Sequence, residues 1–376
     1  MLLATFIGDQ KPRKLEFISF VFNNMEDDDE VKILTYVWIS VSACLLYCYF
    51  ISAKIPKGTL RLISLTPVFY LFTILPLFLS SAVLSAIVTF FFTWLSNFKL
   101  LLFAFDLGPL SSHMGPTKSL FVFAAMASLP IRVKQQRRRS SSGGTKKLPL
   151  NLATETLGFA VLLQLILRYR DSARPKLVMV AYCGLIFLMI DILVAASSFV
   201  VRALVGLELD PPSDEPYLSG SLQDFWGRRW NLTVTNTLRL TVYGPTKEIS
   251  AGVVGDEWAP LPAVLATFVV SGLMHELLFY YVTRATPSWE MTLFFVLHGI
   301  CVAVEIAVKR ALRDRWRLPR LISGPLTVGF VVATSFWLFF PPLIRTGADA
   351  KVLEEFGICM EFIKRKLLSL ATNNTI

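Results

Sequence analysis

Two histidines of this sequence, His275 and His298, lie within long apolar stretches where ionisable side chains are unusual. Ionisable groups at membrane depth are costly and are therefore candidates for function. Burial among apolar side chains disfavours the charged imidazolium, so we expect His275 to be neutral and able to act as a general base towards a hydroxyl group. The alternative is a histidine that only hydrogen-bonds a neighbouring helix. Glu276 follows His275, and Phe279 occupies the fourth position after it, so the HExxH pattern of a zinc site is absent and no metal is predicted.

A second group of polar and aromatic residues occupies positions 224–231, which read Asp-Phe-Trp-Gly-Arg-Arg-Trp-Asn. Arg228 and Arg229 stand between Trp226 and Trp230. The planar guanidinium group matches a phosphate in two parallel hydrogen bonds, whereas tryptophan is typical of the membrane–water interface. Two hypotheses remain open for this segment: the arginines bind a phosphate-bearing substrate, or the segment anchors the chain at lipid headgroups.

The composition excludes an ordinary soluble enzyme. Of 376 residues, 54% are hydrophobic and only 17% are charged, whereas a soluble domain has about 25% charged residues. The formal net charge is +10, but the basic residues fall mainly between apolar runs, so we predict membrane lipid and not nucleic acid as the neighbour of these residues. The five cysteines form no CxxC pair, and neither a disulfide framework nor a zinc site is expected.

The apolar runs predict an all-α polytopic membrane protein with eight spans, give or take one. A helix needs roughly 20 residues to cross the hydrocarbon region. The predicted spans are 33–53, 62–80, 82–105, 150–167, 177–201, 258–282, 291–308 and 321–344. The apolar run 119–131 is too short to cross and is predicted to be re-entrant or interfacial. Asp191 and Glu305 lie inside spans and join the histidines as candidates for function.

Basic residues in short loops set the orientation, because lysine and arginine favour the cytosolic side. Loops 54–61, 132–147 and 309–320 are basic and become cytosolic together if there are eight spans. Loop 168–176 is also basic but falls on the lumenal side in this scheme. The predicted domains are a lumenal segment 1–32, a membrane domain 33–344 with a basic cytosolic loop 132–147 and a cytosolic motif-bearing loop 202–257, and an amphipathic tail 345–376.

The two groups of polar residues together resemble the membrane-bound O-acyltransferase superfamily. The resemblance rests on Phe-Trp-Gly-Arg-Arg-Trp-Asn at 225–231, followed by Ser-Gly-Leu-Met-His-Glu-Leu at 271–277. It is closest to the plant wax synthase branch, which the continuation LTVTNTLRLTVYGP and the later Phe-Phe-Val-Leu-His298-Gly also resemble. The specific motifs lie in 221–300, and the hydrophobic plan of the remaining chain is compatible with the same family.

This resemblance implies an acyl-CoA-dependent enzyme that esterifies a long-chain fatty alcohol to a wax ester. His275 would be the general base and Asn231 would assist it, while Trp226, Arg228, Arg229, Trp230, Glu276 and His298 would contact substrates. Fatty acyl-CoA is then a co-substrate, and no metal or redox cofactor is implied. The expected location is the endoplasmic reticulum membrane.

Three other functions stay open at this point. The acceptor alcohol depends on the shape of an apolar tunnel, so a sterol or another hydroxylated lipid is an alternative within the same chemistry. A transporter with a proton relay is a different class, although the sequence shows no internal repeat of the kind that transporters carry. A non-catalytic membrane scaffold is the last alternative. The sequence gives no signal for an oligomeric state.

Overall fold

The computed structural model describes residues 30–111, 119–132, 149–206, 209–312 and 318–373. His113, segment 1–29 and positions 133–147 of the basic loop lie outside these residues. Within the described ranges the chain is helical and contains no β-strand, as the sequence predicts. The helices are α1 (Glu30–Phe50), α2 (Thr59–Ile74), α3 (Ala82–Val88), α4 (Asn97–Ala104), α5 (Leu120–Ser128), α6 (Pro149–Tyr169), α7 (Pro175–Val205), α8 (Leu222–Asp224), α9 (Leu232–Leu238), α10 (Gly244–Trp258), α11 (Pro260–Thr283), α12 (Glu290–Ala311), α13 (Arg320–Thr334), α14 (Phe340–Arg345) and α15 (Ala348–Asn373).

Several of these helices are joined by tighter or wider helical turns. Short 3₁₀ turns occupy Ser52–Lys54, Leu75–Phe78, Gly108–Leu110 and Pro216–Leu218. Wider π-helical segments occupy Thr89–Ser96, Phe225–Arg229, Arg239–Tyr243 and Ser335–Phe339. The third and eighth spans therefore run through a π-helical segment and continue beyond it.

Eight helical stretches of the described chain are long and apolar enough to cross a membrane, which confirms the predicted number. They are Lys32–Lys54, Thr59–Phe78, Ala82–Ala104, Leu152–Tyr169, Pro175–Ala203, Pro260–Thr283, Glu290–Ala311 and Arg320–Arg345. Each lies within a few residues of its predicted bounds. The run 119–131 forms only the nine-residue helix α5, which is too short to cross a bilayer.

Helix α5 is held at its carboxyl end by a lysine from the third span. Lys99 is only 2% exposed, and its Nζ donates to the carbonyl oxygens of Met126 (2.9 Å) and Leu129 (2.5 Å). The last carbonyl groups of a helix have no partner within the helix. The buried ammonium group therefore satisfies carbonyl groups that would otherwise lie unpaired in an apolar region.

The connections between spans lie at two opposite ends of the bundle. At one end, Arg284 donates to the Pro76 carbonyl oxygen at 2.7 Å, and Arg170 pairs with Asp349 at 3.4 Å. These contacts join the connections that follow the second, fourth, sixth and eighth spans, which the charge pattern predicts to be lumenal. The basic loop 168–176, the exception in that pattern, lies here, and its Arg170 is paired with an acidic side chain.

At the other end, the contacts join the connections that the charge pattern predicts to be cytosolic. Arg132 pairs with Asp210 at 3.3 Å, and Lys309 Nζ donates to Gln223 Oε1 at 3.2 Å. The stretch 202–257, expected to be a loop, is largely helical: it contains the end of α7, all of α8 and α9, and α10 except for its last residue. It is therefore a folded part of the bundle.

The C-terminal tail 345–376 is also packed at its start. Glu355 of α15 accepts hydrogen bonds from the backbone N–H groups of Ala82 (2.7 Å) and Val83 (2.9 Å), which begin the third span. Tyr182 donates its hydroxyl to Asp349 at 3.0 Å. A carboxylate at a helix N-terminus satisfies unpaired N–H groups and opposes the positive end of the helix dipole, so α15 fixes the start of the span that carries Trp94.

Helices α11 and α12 approach each other closely, and each carries one of the two histidines. Gly272 and Gly299 make this approach possible. A Cβ atom at Gly272 would lie 2.9 Å from the Cα of Thr292, and one at Gly299 would lie 2.7 Å from the Cβ of Phe268. Both distances are shorter than ordinary carbon–carbon contacts of about 3.5–4.0 Å. The small residues around His275 thus bring the two backbones together.

Candidate active site

A cavity of about 830 Å³ lies inside the bundle and is lined mostly by apolar side chains. Its walls come from the third span, α7, α9, α11, α12, α13 and the turn that carries the aromatic motif. The volume lies near the upper end of the range of roughly 300–1,000 Å³ that is usual for small-molecule sites. The cavity can therefore hold a large apolar ligand.

All four π-helical segments of the described chain contribute residues to this cavity. Trp94, Trp226, Arg239 and Phe339 come from the four segments in chain order. A π-helical turn displaces the side chains that follow it without removing the backbone from hydrogen bonding, and such turns are frequent at functional sites. The π-helical segments and the two sequence motifs thus contribute residues to the same cavity.

His275 lies in the cavity wall, and only one of its two ring nitrogens has a hydrogen-bond partner among the described residues. Its Nδ1 is 2.8 Å from the carbonyl oxygen of Ser271. Because a carbonyl oxygen can only accept, Nδ1 carries the proton in the neutral ring, and Nε2 is left with its lone pair. No hydrogen bond to Nε2 is present among the described residues. The ring stacks on Phe295 with a centroid distance of 4.1 Å, which holds its plane in a fixed orientation.

Asn231 lines the same cavity and begins helix α9. Its backbone has φ of 37°, in the left-handed region, and its Oδ1 accepts from the backbone N–H of Val234 at 3.3 Å. Asparagine tolerates this backbone region and is a preferred residue at helix N-termini. Since the cap uses only Oδ1, the Nδ2 group keeps its two N–H donors available, with no partner in the described part of the chain.

Trp226 and Trp230 both lie in the cavity wall. The ring of Trp230 stacks on Phe225 at a centroid distance of 5.9 Å and an interplanar angle of 10°. The ring of Trp226 packs on Phe295 at 5.7 Å and on His298 at 5.5 Å. These aromatic contacts pack the motif against α12, and they place Asn231 beside the cavity.

The two arginines of the motif, predicted to act together, have different environments. Arg229 is bound to its own loop: its Nε donates to Asp224 at 2.9 Å, and its Nη1 donates to the carbonyl oxygen of Asp214 at 3.0 Å. Arg228 is exposed and makes no hydrogen bond or ion pair with the described residues. Arg239, which the sequence did not single out, is also exposed and lines the cavity. Among the described residues, Arg228 and Arg239 are therefore two exposed cations on or next to the cavity wall that a ligand could meet.

Glu276 does not reach the cavity. Its carboxylate accepts from the backbone N–H of Trp289 at 2.7 Å and from that of Thr292 at 3.1 Å, and the side chain is 3% exposed. These two N–H groups belong to the start of α12, which has no intrahelical partners for them. The contacts make Glu276 a cap for α12.

His298 is fully buried and lies behind the cavity wall. Its Nδ1 lies 2.8 Å from the carbonyl oxygen of Phe294, and its Nε2 lies 3.3 Å from Thr334 Oγ1. One ring nitrogen therefore has a partner on the preceding turn of α12, and the other has a partner on α13. The structure does not bring His298 together with His275 in the cavity, and the contacts are those of a histidine that joins α12 to α13.

The two remaining ionisable candidates also lie outside the cavity wall. Glu305 pairs with Lys309 at 2.5 Å and accepts from the backbone N–H of Gln223 at 3.1 Å, so it positions the start of α8. Asp191 is 2% exposed within α7. No group of three His, Cys, Asp or Glu side chains in the described ranges is arranged to hold a metal ion.

The sequence analysis missed Trp94, a residue of the third span whose ring contacts that of His275. Its ring centroid is 4.9 Å from that of His275, with the two planes at 81°. Trp94 stands in a run of aromatic residues, Thr-Phe-Phe-Phe-Thr-Trp-Leu-Ser at 89–96, and nothing in the run distinguishes it. The only polar residues of this run are Thr89, Thr93 and Ser96, and they do not by themselves predict the π-helical segment that the structure shows there.

Comparison with known proteins shows the family of the chain. The model of the membrane bound O-acyl transferase family matches residues 209–297, which contain the motif turn, α11 and His275. The long-chain-alcohol O-fatty-acyltransferase of Simmondsia chinensis is 45% identical to the chain over 354 residues, covering 92% of this chain and 99% of that protein. Acyl-CoA–sterol O-acyltransferase 1 of Arabidopsis thaliana is 43% identical over 337 residues, covering 88% and 96%. With its eight spans and these relatives, the chain belongs to the membrane bound O-acyl transferase family, in the plant wax synthase branch, and is an integral membrane acyltransferase.

Proposed function

We propose that this acyltransferase transfers a fatty acyl group from acyl-CoA to a long-chain alcohol, giving a wax ester and free CoA. The observation that carries the proposal is the geometry of His275. Its Nδ1 is hydrogen-bonded to the Ser271 carbonyl oxygen at 2.8 Å. Its Nε2 has no hydrogen-bond partner among the described residues, and the ring lies in the wall of the apolar cavity. A lone pair held in fixed orientation is what a general base for a hydroxyl group needs.

In the proposed reaction, Nε2 of His275 takes the proton of the alcohol while the alcohol oxygen attacks the thioester carbon. The negative charge moves to the carbonyl oxygen, towards which Asn231 would direct its Nδ2 group. One such donor contributes about 3 kcal/mol of transition-state stabilisation in a site without water. When the intermediate collapses, the CoA thiolate leaves and takes the proton from the His275 imidazolium. No metal or redox cofactor enters this scheme.

The surroundings of the cavity favour a substrate with an apolar tail and an anionic head. The wall is mostly apolar, and the free cations Arg228 and Arg239 lie on or near the segment that forms one side of it. The tails of both substrates would occupy the cavity, and the phosphates of CoA would meet these arginines. The charge pattern predicts a cytosolic position for the motif-bearing stretch 202–257, and we propose the endoplasmic reticulum as the membrane.

A sterol acceptor is the second candidate, and one observation favours it. The relative from Arabidopsis thaliana that is 43% identical carries the name of an acyl-CoA–sterol O-acyltransferase. The flat ring system of a sterol needs a wider tunnel than the flexible chain of a fatty alcohol. Both acceptors would present one hydroxyl group to His275. The chemistry is the same, so the acceptor is the only point on which the two candidates differ.

Microsomes that contain the protein test the proposal with labelled acyl-CoA and a panel of fatty alcohols and sterols. We expect an ester of a long-chain alcohol from the wild type and none from His275→Ala, because the base is removed. His298→Gln is the matched control: it should lose stability through Thr334 but keep turnover in the folded fraction. Esterification of sterols alone would select the second candidate, and near-normal turnover by His275→Ala would reject the general base.

A further inference from the structure

Trp94 is the tryptophan whose ring contacts that of His275 in the described structure. It lies in the π-helical segment Thr89–Ser96, is 2% exposed, and forms part of the cavity wall. Its ring centroid lies 4.9 Å from that of His275. The ring of Trp226, by comparison, packs on Phe295 and His298. Trp94 thus stands where a bound substrate would meet the proposed base.

The indole Nε1–H of Trp94 is buried and has no hydrogen-bond acceptor among the described residues. An indole nitrogen is a donor only, and most buried donors in proteins are paired, because an unpaired donor loses its hydration without compensation. If packing against Phe90 and His275 were the only requirement, phenylalanine would meet it without this cost. An oxygen atom of a ligand in the cavity would pair this N–H group. The Nε1–H of Trp226 is also buried and unpaired among the described residues, but the ring of Trp226 packs on His298, so Trp94 is the one of these two tryptophans whose ring contacts that of His275.

The residues on either side of Trp94 fix the turn that carries it. Thr93 Oγ1 donates to the Phe72 carbonyl oxygen at 2.7 Å, and Ser96 Oγ donates to the Ala127 carbonyl oxygen at 2.9 Å. These bonds tie the segment to α2 and α5 on two sides. A donor held in place before the reaction needs no reorganisation when charge develops, which is the condition for effective electrostatic catalysis.

We propose that Trp94 is a catalytic residue whose Nε1–H donates a hydrogen bond to the acyl carbonyl oxygen of the thioester. This inference rests on the proposed function. The carbonyl oxygen is the better acceptor of the two oxygens at the reaction centre, because it gains negative charge in the transition state. A donor to the alcohol oxygen would instead withdraw the lone pair that attacks. Trp94 packs in one cluster with Val234, whose N–H is capped by Asn231, and both Trp94 and Asn231 line the cavity.

The step balances with these groups alone. The alcohol O–H bond breaks as its proton passes to Nε2 of His275, and the new carbon–oxygen bond forms. The carbonyl electron pair moves to the oxygen, where Trp94 and Asn231 donate. The pair then returns, the carbon–sulfur bond breaks, and the thiolate receives the proton from the imidazolium. Trp94 changes neither protonation nor oxidation state.

The test is Trp94→Phe in the full-length protein, assayed with an acyl-CoA and an acceptor that the wild type esterifies. A donor used only in the transition state lowers kcat and kcat/KM equally, so we expect kcat to fall roughly 10²-fold with both KM values close to those of the wild type. Trp258→Phe is the matched control, because Trp258 is 42% exposed and outside the cavity wall. Wild-type kcat in Trp94→Phe would overturn the proposal.

A second variant separates the N–H group from the volume of the ring. Incorporation of 3-benzothienylalanine at position 94 replaces the N–H by sulfur and keeps the bicyclic shape, so the packing around His275 is retained. A similar fall in kcat supports the hydrogen bond, and wild-type kcat overturns it even if Trp94→Phe fails to fold. If the wild type esterifies no acceptor of either class, the proposed function fails and this inference falls with it; wild-type activity with unimpaired variants rejects Trp94 alone.

Discussion

The substitution Gly272→Ala tests whether the close approach of α11 and α12 sets the position of His275. The added Cβ would lie 2.9 Å from the Cα of Thr292 and 3.1 Å from its carbonyl oxygen. Both are backbone atoms, which cannot rotate away as a side chain can. Ordinary carbon–carbon contacts are about 3.5–4.0 Å, so the two helices must separate locally by roughly 0.6–1.1 Å.

This separation should affect activity more than stability. Overpacking costs about 1–3 kcal/mol, and replacing glycine by alanine inside a helix returns about 0.5–1 kcal/mol. The net loss of about 1 kcal/mol corresponds to a fall in Tm of a few degrees. His275 lies one turn from Gly272 and stacks at 4.1 Å on Phe295 of the displaced helix. A misplacement of about 1 Å can lower a rate by roughly 10²-fold, so we expect kcat to fall between about 10-fold and 10²-fold.

The assay compares kcat for ester formation with Tm of the purified protein in detergent. Gly329→Ala is the matched control: Gly329 lies inside α13, and a Cβ there would meet no atom within 4 Å. That variant should keep the wild-type kcat and show an unchanged or slightly higher Tm. Wild-type kcat in Gly272→Ala would show that the contact between the two helices does not position His275.

Four further substitutions separate roles that adjacent residues of the motifs could share. In Asn231→Asp, the aspartate keeps an oxygen for the α9 cap and tolerates the left-handed backbone, but it lacks the N–H donors. We therefore expect kcat to fall roughly 10²-fold with little change in Tm. An unchanged kcat would refute the role of Asn231 as a donor. Glu276→Gln should lower Tm and leave kcat of the folded enzyme near that of the wild type, and the opposite pattern would make Glu276 part of the reaction. Arg228→Gln should raise KM for acyl-CoA and leave KM for the alcohol unchanged. Arg229→Gln should lower Tm, because the contact with Asp224 is lost. If both substitutions raised KM for acyl-CoA equally, both arginines would bind the CoA phosphates, as the sequence predicts.

The number and bounds of the spans could be predicted from sequence because the thickness of the bilayer sets the length of an apolar helix. The motif-bearing stretch 202–257 could not be predicted in the same way. Its polar residues read as a loop, but Lys309, Gln223 and Glu305 form contacts between distant parts of the chain. Such contacts stabilise helical turns that have little apolar periodicity of their own.

Within the site, residue types identified His275 and Asn231 but not the roles of their neighbours. Consecutive residues on a helix point about 100° apart, so Glu276 faces α12 while His275 faces the cavity. His275 and His298 share the same bond to the carbonyl oxygen four residues earlier. They differ at Nε2, where His298 meets Thr334, and that difference depends on a helix 36 residues further along the chain.

The position of the cavity follows from a conflict between two requirements of a membrane acyltransferase. Reactive polar groups need an opening between helices, but the backbone of a spanning segment must stay hydrogen-bonded because lipid offers no partners. A π-helical turn meets both requirements, since it shifts side chains sideways and keeps the N–H and carbonyl groups paired. Here the third and eighth spans each contain such a turn at the cavity, carrying Trp94 and Phe339, whose rings both contact that of His275. The backbone of both spans thus stays helical beside the cavity, while these two side chains form part of its wall.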